Sequence, residues 1–136
     1  MRLVVIDPRR TATAEDADLH LRLRPGTDAV LFNGLLRHLA QGGFAEQDFV
    51  GRHTEGLDAA LAAAGEGSDT ATACDLDPAL VGEFFDWFAR TERVVTCYSQ
   101  GVNQSSSGSD KVNAILNCHL LVGRIGRPGM GPLSLT

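Results

Sequence analysis

The stretch from Tyr98 to Gly131 constrains the fold more than any other part of this 136-residue chain. It begins where an apolar run, Arg93-Val94-Val95-Thr96-Cys97-Tyr98, ends. It then crosses a loop of Ser, Gly, Asn and Gln and enters a segment in which Val112, Ile115, Leu116, His119 and Leu120 recur at helical spacing as far as Gly123. The β-branched run predicts a strand and the 3.6-residue period predicts a helix. A strand feeding a helix through a small-residue loop is the building unit of an α/β sheet. Such a loop leaves backbone N–H groups open where the helix begins, which suits an anion or a polar cofactor. A plain solvated connection has the same composition, so the reading depends on whether other segments repeat the layout.

Two other segments do. Leu3-Val4-Val5-Ile6 is a short apolar run expected to be a strand buried on both faces, as in a parallel sheet. It ends at Asp7-Pro8-Arg9-Arg10-Thr11, where an acid can accept from ribose hydroxyls and arginines can meet phosphates, or where Asp7 can simply close a turn. After a polar stretch from Thr11 to Asp18, Leu19 to Arg24 alternates strictly, with leucines on one face and His20, Arg22 and Arg24 on the other. Pro25-Gly26-Thr27-Asp28 follows, with Thr27 or Asp28 placed to cap a helix carrying Val30, Leu31, Leu35, Leu36 and Leu39 and ending at Gly42-Gly43. Three polar loops, Asp7 to Thr11, Gly26 to Asp28 and Ser99 to Ser107, thus stand at the carboxyl ends of expected strands. In an open α/β sheet those ends share one edge, where ligands bind.

The middle of the chain reads as helical decoration: a short turn at Glu46 to Val50, an alanine-rich helix from Gly56 to Ala64, and a small-residue loop from Gly65 to Thr72. Asp77-Pro78 opens a stronger helix, whose Leu80, Val81, Phe84, Phe85, Trp87 and Phe88 predict a core face. His119 reads as a packed or interface histidine and His53 as a surface residue. Ile125 to Leu135, rich in Gly and Pro, reads as irregular loop.

Composition narrows the function. The apolar content of 43% fits one soluble domain spanning residues 1–136, no segment is apolar for long enough to cross a bilayer, and the early charges at Arg2 and Asp7 argue against a secretory signal. A cytoplasmic chain with no membrane contact is the expectation. Cys74, Cys97 and Cys118 show no paired spacing, so neither a disulfide framework nor a cysteine metal site is indicated, and Cys97 and Cys118 are expected to be packed thiols. Between Phe44 and Glu92 eleven carboxylates face only Arg52 and Arg90, while the flanks carry ten basic and six acidic residues. That asymmetry favours a small anionic ligand over nucleic acid, because the basic residues are too few and scattered to track phosphates. No Gly-x-Ser-x-Gly elbow, Walker lysine or H-E-x-x-H pattern is present. No self-contained catalytic set and no metal-ligand set emerge.

These residues carry a resemblance. SQGVNQSSSGSDKVNAILNCHLLVGRIGRPGMGPLSLT, together with VVIDPRRT and ADLHLRLRPGTDAVLFNGLL in the same order, resembles the molybdopterin oxidoreductases of the dimethyl sulfoxide reductase superfamily. Within it the likeness is greatest to the catalytic subunits of bacterial assimilatory nitrate reductases, through Ser99-Gln100-Gly101-Val102-Asn103-Gln104-Ser105. It covers Arg2 to Thr136 apart from a weakly characteristic middle from about Gly43 to Thr91.

The resemblance implies a Rossmann-like three-layer α/β fold with a short parallel sheet. It implies a parent enzyme that carries molybdenum on two molybdopterin guanine dinucleotides and reduces nitrate to nitrite with electrons from an iron-sulfur cluster. Asp7, Pro8, Arg9, Arg10 and Thr11, with Gly26, Thr27 and Asp28, would grip the guanosine and pyrophosphate end of one dinucleotide; Gln100 and Gln104 would approach its pterin side. Partners would be the cofactor, the remaining domains of the parent enzyme and an electron-donor protein or domain. The family's four-cysteine cluster motif, its molybdenum-ligating cysteine, its first strand with the glycine turn and its carboxyl-terminal domain have no counterpart here. The expectation is an internal part of the dinucleotide-binding domain, truncated at its N-terminal strand and inactive alone. A formate dehydrogenase-type enzyme, a free-standing nucleotide-binding module and a docking domain remain as alternatives.

Overall fold

A computed structural model describes residues 1–65 and 69–135. In chain order they form β1 (Val4–Ile6), α1 (Ala12–Glu15), β2 (Leu19–Leu21), α2 (Asp28–Gln41), α3 (Gln47–His53), α4 (Leu57–Ala64), α5 (Thr70–Cys74), α6 (Pro78–Arg90), β3 (Val95–Tyr98), α7 (Gln100–Asn103), α8 (Gly108–Leu121) and β4 (Gly131–Ser134). The expected α/β class with short parallel pairing is present. The pairing takes the form of two ladders: β1 with β2, in register Val4↔Leu19 to Ile6↔Leu21, and β3 with β4, in register Val95↔Gly131 to Tyr98↔Ser134. Among the described residues no strand pairing joins the ladders, and the helices connect them.

The centre is the contact between α2 and α8. Leu31, Leu35, Leu36 and Leu39 of α2 and Ile115, Cys118 and Leu121 of α8 are fully or almost fully withdrawn from water. Each such leucine contributes about 1.5–3 kcal/mol of transfer free energy. Ala114 and Cys118 keep the α8 side of the seam narrow, and the Cys118 thiol lies 3.2 Å from the Phe32 carbonyl. The apolar spacing read from sequence is rotated slightly from this seam: Val112, Leu116 and Leu120 are only half-buried, while Lys111, Ala114 and Cys118 face inward. Aromatic residues of α6 close the other side, where Phe84 meets Phe32 edge to face at 6.2 Å. Leu19, Leu21 and Leu23 point into the core from the β2 segment as their alternation requires.

Several expectations change. Val4–Ile6 is half-buried rather than buried on both faces, because Val4 and Ile6 pack on the core while Val5 does not. Ile125 to Leu135 is not all loop: β4 forms at its end, and Pro132 is accommodated there because among the described residues the strand pairs with β3 alone. Of the Gly65 to Thr72 loop, residues 66–68 lie outside the described residues, and from Thr70 the chain is helical. Asp69 caps that helix by accepting from the amides of Ala71 and Thr72. Cys118 and Cys74 are packed thiols, but Cys97 is exposed, because the side chains of β3 alternate and its face, with Val95 and Leu133, turns outward. Thr136 also lies outside the described residues.

His119 is packed, as expected. It is fully buried, its Nε2 lies 2.7 Å from the Thr96 hydroxyl, and its ring meets Phe88 edge-on at 5.2 Å. Beside it the buried Arg124 guanidinium donates to the carbonyls of Phe88 at 2.8 Å and Thr91 at 2.5 Å, closing the carboxyl end of α6.

Two predictions follow from this packing. Burial, reinforced by the Arg124 charge, lowers the His119 pKa from 6.5 to about 4. The unfolded chain therefore takes up this proton first, and the stability tied to neutral His119 is complete above pH 6.5 and lost as pH falls towards 4. The loss is about 2–3 kcal/mol. Urea unfolding at pH 7.5 and 4.5 is expected to show a smaller pH difference in His119→Gln than in wild type. Gly108 is buried where an added Cβ would stand 2.7 Å from the Asn103 carbonyl oxygen and 3.0 Å from that of Val102, whereas Gly82 on α6 faces open space. Gly108→Ala is therefore expected to cost about 1–3 kcal/mol, and Gly82→Ala to add about 1 kcal/mol through helix propensity, both read by thermal unfolding.

Candidate functional site

The Asp7 turn lies at the carboxyl end of β1 and is tied to the end of β2. The Asp7 amide donates to the Leu21 carbonyl at 3.2 Å, Arg22 Nε donates to the Pro8 carbonyl at 3.4 Å, and His20 Nε2 lies 2.9 Å from the Asp7 carbonyl. The Asp7 carboxylate folds back on its own turn, with Oδ1 accepting from the Arg9 amide at 2.7 Å. Its Arg9 Nε contact is longer, 3.5 Å, and Arg9 is exposed. Pro8 and Arg10 are exposed as well, and Thr11 serves as the cap of α1, accepting from the Ala14 amide at 3.3 Å. Asp7, Arg9 and Arg22 thus gather one carboxylate and two guanidinium groups at the ends of the first ladder.

From β2 the chain passes through a tight turn into α2. Gly26 sits at φ +86°, a conformation that favours glycine. Thr27 holds the position before the helix, but its hydroxyl donates back to the Arg24 carbonyl at 2.7 Å and does not cap. The expected side-chain cap is absent because the turn takes that hydroxyl for itself. Ser107, before α8, also makes no side-chain cap. Side chains cap α1, α3, α5 and α6, those of Thr11, Glu46, Asp69 and Asp77, while the short helices α4 and α7 are also uncapped. The two central helices therefore offer first-turn N–H groups that no capping side chain satisfies, together with the positive ends of their dipoles.

Those two ends lie together. Lys111 in the first turn of α8 binds Asp28, the first residue of α2, at 2.8 Å, and past the far ends the Glu46 amide donates to the Leu121 carbonyl at 2.9 Å. The helices run side by side in the same direction, with both N-termini at one end. The loop leading into α8 contains α7, with Gln100 as its first residue and Gln104 as its cap, both exposed. Asn103 in the same turn donates to the Ser134 hydroxyl at 3.1 Å, joining the loop to the carboxyl end of β4.

The structure thus links the three sequence-selected loops stepwise: Asp7 to Thr11 with the β2 end, that end with Gly26 to Asp28, and Asp28 with α8. Among the described residues no hydrogen bond or ion pair joins the Asp7 block directly to Gln100 or Gln104. Sequence reasoning missed Lys111, which belongs to no phosphate-loop pattern; the available signal was a basic residue in the first turn of a helix, where the dipole disfavours it. His20 and Arg22 were placed on the outer face of their strand by alternation, but nothing in the sequence tied them to Asp7. A groove of about 590 Å³ between Arg2, Glu83, Asp86, Trp87, Arg90 and Thr91 lies elsewhere, at the amino end of β1, with Arg2 stacked 4.5 Å from the Trp87 ring. Among the described residues no three His, Cys, Asp or Glu side chains are grouped to hold a metal ion, and no helix is long and apolar enough to cross a membrane.

Comparison with known proteins gives the same direction. The nitrate reductase of Klebsiella oxytoca is 47% identical over 138 residues, a match covering the whole of this chain and 15% of that protein. The F420-dependent formate dehydrogenase subunit alpha of Methanocaldococcus jannaschii is 30% identical over 96% of this chain and 20% of its own length. Acetylene hydratase from Pelobacter acetylenicus superposes with a TM-score of 0.85 at 25% identity, over 94% of this chain and 18% of that one. The chain thus spans about a fifth or less of the length of these relatives. The sequence model described as molybdopterin oxidoreductase matches residues 1–136 from end to end, and the chain belongs to that family.

Proposed function

We propose that this chain is part of the cofactor-binding domain of a molybdenum-dependent nitrate reductase, and that its loops hold the guanine dinucleotide end of a bis-molybdopterin guanine dinucleotide cofactor. The observation that carries this reading is the pair of uncapped N-termini of α2 and α8, held at one end of the molecule, with Asp7, Arg9 and Arg22 at the carboxyl ends of the ladder that leads into α2. Open amides and the positive ends of two helix dipoles suit a pyrophosphate, and exposed guanidinium groups add charge-assisted donors. The Asp7 turn fixes one carboxylate oxygen on the Arg9 amide and leaves the other to accept from a ribose or a guanine edge. Gly26 and Thr27 allow close backbone approach, and Gln100 and Gln104 supply neutral amides on the pterin side. The residues present fit the group.

When bound, the molybdenum centre supplies the two-electron chemistry that converts nitrate to nitrite, with electrons delivered by an iron-sulfur cluster and a donor outside this chain. The part played by these residues is to bind and orient. The chain alone is expected to be inactive. Nitrate is favoured over formate because the nitrate reductase likeness is 47% against 30% for the formate dehydrogenase. An assimilatory, cytoplasmic enzyme is the setting this reading implies.

The test is titration of the isotopically labelled chain with guanosine diphosphate. Amide shifts at Asp7, Thr27 and the first turn of α8 are expected, with a dissociation constant near millimolar, since the chain holds one part of the site. Asp7→Ala is expected to weaken binding about tenfold, the value of one charged hydrogen bond. Micromolar affinity would favour a free-standing nucleotide module, and the absence of any shift would overturn the assignment. Viologen-linked nitrate reduction by the purified chain is expected to be nil.

A further inference from the structure

Lys111 is a residue that its position in the sequence explains poorly. It is 4% exposed, lies in the first turn of α8 where the dipole repels a cation, and faces the α2 seam among residues that are otherwise apolar or small. Burying a lysine is costly unless it is paired, and an apolar residue of similar volume would fill the seam without that cost. A local rule broken at a buried position marks a functional constraint more often than a packing one. The partner of Lys111 is Asp28, itself one of the loop residues selected from sequence, at 2.8 Å.

The pairing has two consequences. Each member sits in the first turn of an uncapped helix, so the ion pair sets how far apart the two sets of open amides lie. Asp28 alone would place a full negative charge at the mouth of the loops, where it would repel an anionic ligand; the Lys111 ammonium cancels it from behind. Asp28 thereby changes role: its carboxylate serves the protein more than the ligand.

We propose that Lys111 is a positioning residue of the nucleotide site, fixing the first turns of α2 and α8 in register through Asp28 and neutralising the Asp28 carboxylate before a pyrophosphate arrives. The inference rests on the nucleotide reading above.

Three variants of the chain, Lys111→Met, Lys111→Arg and the double variant Asp28→Asn with Lys111→Met, are compared by urea unfolding, amide hydrogen exchange and guanosine diphosphate titration. Lys111→Met is expected to raise the dissociation constant by about tenfold or more, the size of one charge interaction in a partly buried site. It is also expected to speed exchange selectively at residues 27–31 and 108–114. Lys111→Arg, which keeps the cation, is expected to bind within about threefold of wild type. The double variant leaves no charge unpaired, so its stability is expected to return towards wild type, while exchange at the two first turns stays fast and binding recovers only in part.

A residue serving stability alone would give a double variant restored in all three measurements, and that result overturns the proposal. So does a Lys111→Met chain that is folded and binds as wild type does, a result that leaves the nucleotide reading standing. If wild type itself shows no shift with guanosine diphosphate, the nucleotide reading fails and the site role of Lys111 fails with it.

Discussion

The close parallel contact of α2 and α8 is the constraint on which the rest of the structure depends. A strand pair of three or four residues has too little hydrogen bonding and too little buried surface to stand alone in water. Both ladders here are of that size, and they hold because each is anchored to the two-helix centre. Leu31, Leu35 and Leu39 of α2 are completely buried, and Ala114 and Cys118 of α8 are small enough to let the backbones approach. Gly34 on α2 receives Thr70, so that even the α5 segment is seated against the same helix. Because the two helices point the same way, whatever lies at one N-terminus lies near the other. The geometry of the loops is thus a by-product of core packing.

Much of this was readable in the letters. The alternation of Leu19 to Arg24, the Asp77-Pro78 helix start and the spacing of Leu31, Leu35 and Leu39 each follow from one local rule, and each appears where that rule puts it. The failures have a common physical form. Asp69 and Thr70 look like loop residues because Ser, Asp and Thr are common there; the Asp69 cap, the seating of Thr70 on Gly34 and the Arg37 guanidinium bound to its hydroxyl make that segment helical. Gly131-Pro132-Leu133-Ser134 reads as loop by composition and becomes a strand because β3 offers a free edge. Lys111 belongs to no local motif because its partner is Asp28, eighty-odd positions away. Local signals report local energies, and these features are decided by contacts distant in sequence.

The two ends of the molecule are built on different electrostatic principles. At the loop end, charged groups are exposed or paired across elements and the helix amides are open. At the far end Arg124 is buried: it occupies the carbonyls that end α6, stacks 4.8 Å from the Phe88 ring, and sits beside a histidine held neutral by burial. Gly123, at φ +66°, turns the chain immediately after α8 so that the Arg124 amide meets the His119 carbonyl at 2.9 Å. The buried guanidinium has no carboxylate partner among the described residues, which is tolerable because it supplies the positive charge that two helix carboxyl ends favour.

On the proposed reading, that contrast bears on what a cofactor-binding site requires. A ligand held by backbone amides needs those amides fixed to within a fraction of an ångström, because hydrogen-bond energy falls steeply with distance and angle. Loops this rich in glycine and serine cannot supply that rigidity themselves. Here it is borrowed from elements that cannot move independently: the carboxyl ends of strands in a ladder, and the first turns of two helices buried along their length and sealed at their far ends. Polar exposure at one end and tight closure at the other are therefore two halves of one arrangement, and weakening the closed end would be felt as imprecision at the open one.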